Sequence, residues 1–270
     1  MSEALAKFTD GNGKSLTRLT QEEKNKLSSV RNRLSLRDRQ INQIKGPHLG
    51  LIFDATESMG TYWENTQKNI RKLHRRLQEL IPGLLISFIA YRDYDDGNLI
   101  IETLKKGESL QQIEAFLSRI RCIGGGDPPE AVEVALKTAL DTDINFGILL
   151  GDSEPHGFVD SFGIPGFYYH RDLHPQPLEN FRKVAEQLNK KGVPIYTVAT
   201  HNGEILASAF KEIAQITQGK FFLMERIDDL IDIFSTIVAK KVSRVSALKS
   251  ILEKEQGGRL TDNQMKLLTS

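Results

Sequence analysis

The sequence is poor in cysteine, in net charge and in long apolar runs. Its single cysteine, Cys122, excludes an intrachain disulfide and suits a reducing compartment. Lysine and arginine number 36 against 35 acidic residues, a formal charge of +1. That balance excludes the basic excess on which non-specific nucleic-acid binding depends. The longest apolar runs are Leu49–Phe53 and Leu84–Ala90, the second broken by Ser87. Both fall far short of the ~18 residues a membrane-spanning helix requires. The opening stretch MSEALAKFTDGNGKS has no apolar core behind a basic flank, so no signal peptide is expected. The expectation is a cytoplasmic protein with neither nucleic acid nor membrane as partner.

What is present is an ordinary globular balance. Hydrophobic residues make up 39% and charged residues 26% of 270 residues. This is enough for one α/β domain of about 200 residues with appended segments. Residues 1–19 are polar and read as a flexible N-terminus. Residues 20–46 read as a helical extension: Thr20 and Glu23 have capping-box spacing, Leu27, Leu34 and Ile41 repeat every seven residues, and Gly46-Pro47 ends the pattern. Residues 47–240 form the expected domain. Residues 241–270 continue a long helix expected to start at Ile227, as a C-terminal helical extension.

Within the domain, short apolar runs alternate with helical patterns. His48–Asp54 (HLGLIFD) is too brief for a helix and reads as a buried central strand. Thr61 and Glu64 have the spacing of a second capping box, opening a helix to about Leu80. Leu84–Tyr91 reads as a strand, and Asp96-Gly97 as a tight turn that returns Leu99–Leu104 antiparallel. Helices are expected near Ser109–Ile120, from GGGDPPE to about Leu140, near Leu178–Lys191 and near Glu204–Thr217. Strands are expected at Phe146–Gly151, Val193–Ala199 and Lys220–Met224. Alternating strands and helices imply a doubly wound α/β fold: a mostly parallel sheet with one antiparallel strand and helices on both faces.

In such a sheet, ligands bind beyond the C-terminal ends of the strands. Three oxygen-rich loops fall at or near that edge: Asp54-x-Thr56-x-Ser58, Gly124-Gly125-Gly126-Asp127, and Asp152 after GILLG. Three carboxylates and two hydroxyls suit a hard cation such as Mg²⁺, with Mn²⁺ or Ca²⁺ as alternatives. Each residue also has a plainer reading. Asp54 and Asp152 can serve as strand-end turn residues, and Thr56 and Ser58 as loop hydroxyls. Asp127 precedes Pro128, with Glu130 three residues on, which is a well-formed helix N-cap.

FDATESM after an apolar strand resembles the D-x-S-x-S motif of von Willebrand factor type A (vWA) domains, the first loop of their metal-ion-dependent adhesion site (MIDAS), with Thr56 at the first serine. LLGDSEPHG resembles the family's third loop. GGGDPPE is similar to the second loop of an intracellular, bacterial-type subgroup with G-G-G-D-x-P-E, where Asp127 replaces the usual threonine ligand. The order of elements matches over roughly residues 47–240. The resemblance implies a Rossmann-like vWA fold and a non-enzymatic, metal-dependent module for protein–protein interaction. Its metal residues would be Asp54, Thr56, Ser58, Asp127 and Asp152. Arg92, Asp93, Glu130 and His156 would stand behind them or face the partner. An extra carboxylate makes the metal less electrophilic, which puts capture of a partner's aspartate in question.

The rival reading is an enzyme. FDATES and LLGDSEPH also resemble haloacid dehalogenase-like Mg²⁺-dependent phosphatases, with Asp54 as nucleophile. That chemistry needs a second acid where Thr56 stands, and an Asp where His156 stands. GNGKS (Gly11–Ser15) lacks the first glycine and preceding strand of a phosphate-binding loop. His156, His170, His174 and His201 fit no zinc spacing. Cys122 reads as a small buried residue. The aromatic loop Gly157–Pro177 reads either as self-packed or as partner-binding. The terminal helical stripes, including Ile231, Phe234, Ile237, Val238, Val245, Leu248 and Leu252, suit either packing on the domain or self-association.

Overall fold

A computed structural model describes residues 47–107, 109–126, 129–158, 179–257 and 260–269. The chain divides into Met1–Lys45 and Gly46–Ser270, and the described residues belong to the second unit. The expected N-terminal helix, Asp127 and most of the aromatic loop lie outside them.

Six strands form one sheet: β1 (His48–Asp54), β2 (Leu85–Tyr91), β3 (Ile101–Gly107), β4 (Phe146–Gly151), β5 (Ile195–Ala199) and β6 (Phe221–Leu223). Their order is β3-β2-β1-β4-β5-β6. All neighbours pair parallel except β2 and β3. From β1 the chain winds outward to β2 and β3, then crosses back to β4 beside β1. The boundary between β1 and β4 is therefore the point where strand order reverses and a crevice opens.

Eight helices are described: α1 (Gly60–Leu80), α2 (Leu110–Arg119), α3 (Val132–Asp141), α4 (Phe181–Lys190), α5 (Glu204–Ile216), α6 (Leu230–Lys241), α7 (Val245–Glu255) and α8 (Asp262–Thr269). Alternation along β1 sorts them into two layers. Leu49, Leu51 and Phe53 pack with α1, α2, α6 and α7; Ile52 packs with α3, α4 and α5. On α1 the buried positions Trp63, Thr66, Ile70, Leu73, Leu77 and Leu80 recur every three or four residues, which lays one stripe on the sheet. Trp63 meets Phe53 edge to face at 5.5 Å.

Three expectations need correction. The T-x-x-E at Thr61 is not a cap: a 3₁₀ turn at Glu57–Met59 runs straight into α1 at Gly60, so Thr61 is already helical. Asp96-Gly97 is not a two-residue hairpin. Tyr94–Leu99 forms a 3₁₀ segment kinked at Gly97, and the antiparallel strand runs later, to Gly107. The helix beginning near Ile227 does not run on past Lys241. It breaks at Val242–Arg244, where Ser243 has φ 56°. The chain turns there so that Leu248 and Leu252 of α7 enter the same core as α1 and α6. The apolar stripe of α7 is thus spent on its own domain.

An ion cluster fixes that return. The fully buried guanidinium of Arg76 on α1 bonds Asp232 of α6 and both carboxylate oxygens of Glu255 on α7. Gln264 of α8 donates to the other oxygen of Asp232 at 2.9 Å. One buried cation thereby ties together three helices of one layer.

Candidate functional site

Asp54 is the last residue of β1 and is fully buried. Its Oδ1 accepts from the backbone N–H of Thr56 at 2.9 Å and from the Thr56 hydroxyl at 2.6 Å. Thr56 Oγ1 lies 3.1 Å from the hydroxyl of Ser58, which reaches the surface. The spacing D-x-T-x-S therefore curls one carboxylate and two hydroxyls around a single turn. Asp54 Oδ2 is buried without a hydrogen-bond partner among the described residues.

Asp152, the first residue past β4, brings its carboxyl within hydrogen-bonding reach of Asp54. Burial, and then the charge of Asp152, push the Asp54 carboxyl well above the usual carboxylate range; the Thr56 bonds pull it part of the way back. Behind Asp152, His201 fixes the backbone. Its Nδ1 accepts from Gly203 N–H, so its Nε2–H donates to the Asp152 carbonyl at 2.9 Å.

The second loop closes against the first. Ile123 N–H donates to the Ala55 carbonyl at 3.2 Å, and Glu57 N–H to the Gly124 carbonyl at 3.4 Å. Gly125 has φ +68°, and a Cβ there would stand 2.7 Å from Glu130 Oε1 and 2.7 Å from Thr56 Cβ. Only glycine fits both the backbone and the space. Asp127 follows two residues later, outside the described residues.

Glu130 is buried beside Thr56. Its backbone N–H donates to the Glu154 carbonyl at 3.0 Å, while Oε2 finds no partner among the described residues. Burial, then the charges of Asp54, Asp93, Asp152 and Asp96, push its carboxyl strongly upward.

The other expected residues build a separate network. His156 Nε2 meets Asp93 Oδ1 at 2.5 Å, and His156 N–H donates to Glu133 Oε2 at 3.2 Å. Tyr94 donates its hydroxyl to Glu133 Oε1 at 2.7 Å. Burial raises the Glu133 carboxyl to about 7, against the pull of His156 and the Tyr94 bond. Arg92 is buried and holds backbone: it donates to the carbonyls of Leu99 and Arg121, both at 2.6 Å, and to Glu102 at 2.9 Å.

The sequence reading missed Tyr91, Glu133 and Glu154. Tyr91 pairs in register with Asp54, and its buried hydroxyl has no partner among the described residues. A Cβ on Gly151 would collide with that hydroxyl and lie 3.5 Å from Asp54 Oδ2. Strand register, which brings Tyr91 beside Asp54, is not written in either strand alone. Glu133 had a signal: it stands three residues after Glu130 at the opening of the same helix.

The structure thus brings Asp54, Thr56, Ser58, Asp152, Glu130 and Tyr91 to the crevice between β1 and β4. Among the described residues, which omit Asp127, no group of three or more His, Cys, Asp or Glu side chains is arranged to hold a metal ion. The donors in the crevice are the carboxyls of Asp54 and Asp152, within reach of each other, the buried carboxyl of Glu130 and the hydroxyls of Thr56 and Ser58; Asp54 Oδ2 and Glu130 Oε2 have no hydrogen-bond partner among the described residues. In chemistry this all-oxygen set fits a hard divalent cation, whose charge would offset the Asp54–Asp152 pair. It does not fit the phosphatase, since the position that needs an acid carries the Thr56 hydroxyl, already donating to Asp54.

No protein-family model matches the chain. It is similar to an ariadne-like RING finger protein of Acanthamoeba polyphaga mimivirus, 23% identical over 193 residues, covering 70% of this chain and 19% of that protein. It is also similar to alpha-protein kinase vwkA of Dictyostelium discoideum, 29% identical over 116 residues, covering 42% of this chain and 19% of that protein. The chain therefore spans about a fifth of the length of these curated relatives. Among solved structures, the pilus adhesin SpaC of Lactobacillus rhamnosus GG superposes with a TM-score of 0.54 at 13% identity, over 73% of this chain and 31% of that one. The fold is a Rossmann-like, doubly wound α/β fold. The SpRpn10 VWA domain is similar at a TM-score of 0.46 and 9% identity, over 69% of this chain and 94% of that one. Among the described residues no helix is long and apolar enough to cross a membrane.

Proposed function

We propose that the chain is a vWA-type, MIDAS-bearing module of the G-G-G-D-x-P-E subgroup that holds one divalent cation, Mg²⁺ by preference, and grips a protein partner without turning over a substrate. Asp54, Thr56, Ser58, Asp127 and Asp152 would hold the cation, directly or through water. When bound, it supplies a positive centre at the crevice mouth for an oxygen of the partner. Asp54 anchors the site from β1, and the Thr56 hydroxyl fixes its orientation. Gly125 lets the second loop close, and His201 holds the Asp152 backbone.

The observation that carries this reading is the contact between Asp54 and Asp152 around the unpartnered Asp54 Oδ2. Two carboxylates held together in a buried crevice repel unless a proton or a cation lies between them. Among the described residues the bonded neighbour of the Ser58 hydroxyl is the Thr56 hydroxyl and not a histidine. The curated relatives fit a module rather than a whole activity, because the matching stretch is a small part of each. Differential scanning fluorimetry with Mg²⁺, Mn²⁺ and Ca²⁺ tests it. Saturating stabilisation by a divalent ion, absent in Asp54→Asn, is expected; no shift at millimolar ion would overturn the reading.

A further inference from the structure

We propose that Leu99 and Ile123 form the docking surface for a partner segment that presents an aliphatic side chain flanked by lysine or arginine. The inference rests on the reading of the crevice edge as the partner-facing side, and deepens it by naming the partner's chemistry.

Three large hydrophobic side chains are exposed among the described residues: Leu99 at 42%, Ile123 at 39% and Met265. A lone exposed aliphatic residue is ordinary, but two on adjoining loops at a ligand-binding edge are not. The two loops are built as one surface. The buried Arg92 guanidinium holds the Leu99 carbonyl with one nitrogen and the Arg121 carbonyl with another. The Asp96 carboxylate lies so close to Gly124 that a Cβ there would overlap it. Ile123 is joined in turn to the metal loop through the Ala55 carbonyl. A fully buried arginine spent on main-chain carbonyls fixes where Leu99 and Ile123 stand, which lowers the ordering cost of binding on them.

Charge selects the partner. Glu57, whose N–H bonds the Gly124 carbonyl, and Asp96, whose carboxylate lies against Gly124, flank Ile123 on the acidic side, with Arg121 an exposed cation beside them. A divalent ion held by Asp54, Asp127 and Asp152 would be taken up by those carboxylates and would leave the charges of Glu57 and Asp96 at the rim. An acidic segment is repelled there, while a basic residue beside an aliphatic one is attracted.

The test pans a phage-displayed random peptide library on the full chain, with Mg²⁺ and with EDTA. Enriched peptides are then made synthetically and measured by fluorescence polarisation. Expected are peptides pairing Leu, Ile or Val with Lys or Arg. Their affinity should fall about tenfold or more in Leu99→Ser/Ile123→Ser, the loss typical of removing a central apolar contact. Affinity should also fall in Glu57→Lys and at high salt. Enrichment of acidic peptides, affinity unchanged in the double variant, or no enrichment at all overturns the proposal. Mg²⁺ calorimetry on the same double variant separates the two readings. Mg²⁺ binding with indifferent peptides sinks only the docking surface; peptide binding without Mg²⁺ binding sinks only the metal.

Discussion

The carboxyls of Asp54 and Asp152 meet across the gap between the ends of β1 and β4, where the strand order of the sheet reverses. Neither residue is near the other in sequence, and each is placed by an apolar strand buried along its whole length. The stability of the cation-free protein should therefore depend on this contact.

The pH dependence follows from its sign. The Asp54 carboxyl is raised from an ordinary 3.8 to about 8, so between those values the folded state holds a proton that the unfolded state has lost. Without divalent ion, stability should fall as pH rises through that window. Melting temperature measured from pH 6 to pH 8 in EDTA should drop in the native chain and drop less steeply in Asp54→Asn, where the raised carboxyls of Glu130 and Glu133 still contribute. Equal slopes for the two would remove Asp54 as the cause.

His48 adds a trend of opposite sign. Its Nδ1–H donates to the Asp143 carbonyl at 2.6 Å and its Nε2 accepts from the Ser87 hydroxyl at 2.8 Å, which is the neutral ring. Burial lowers its pKa below the ordinary 6.5. The unfolded chain then takes up a proton first as pH falls below 6.5, and stability is lost. Titration of the His48 ring by NMR should give a midpoint under 6.5; a midpoint above it would contradict the assignment.

The Arg76 cluster should be costly to break. Arg76→Met leaves Asp232 and Glu255 facing without their shared cation, and a loss of about 3 kcal/mol in urea unfolding is expected. Glu255→Gln should cost less, because Asp232 remains. A loss within experimental error for Arg76→Met would mean that α7 is held by its apolar contacts and by the pairs of Glu255 with Lys72 and Arg75.

How much of this was legible follows from the kind of signal. Asp54, Thr56 and Ser58 stand out because a seven-residue apolar strand ends directly in them. Asp152 stands out for the same reason. The pairing of Tyr91 with Asp54 was hidden, since period-two alternation gives a face but no register. The break at Val242–Arg244 was hidden too. It has neither glycine nor proline, and Ser243 takes a left-handed conformation that sequence rarely announces. The cap at Thr61 was misread because a helix can begin as the continuation of a 3₁₀ turn, which leaves no free terminus to cap. Arg92 was expected near metal or partner, and its backbone bonds to Leu99 and Arg121 depend on loops far apart in sequence.

Gly125 should resist substitution. Gly125→Ala imposes an unfavourable φ and sets a methyl group against Thr56 and Glu130. A loss of about 1 kcal/mol or more is expected from the backbone alone. Mg²⁺ affinity should fall with it, as the second loop is pushed from the first. Unchanged affinity in a destabilised Gly125→Ala would uncouple the loop from the metal site.

The central claim is a single divalent cation held at the Asp54–Asp152 crevice. Isothermal titration calorimetry of the full chain with Mg²⁺ tests it most directly, with Asp54→Asn and Asp127→Asn alongside. The account predicts one site per chain in the native protein, none in Asp54→Asn, and weakened binding in Asp127→Asn. No heat at millimolar Mg²⁺, or equal binding by the native chain and Asp54→Asn, would contradict it.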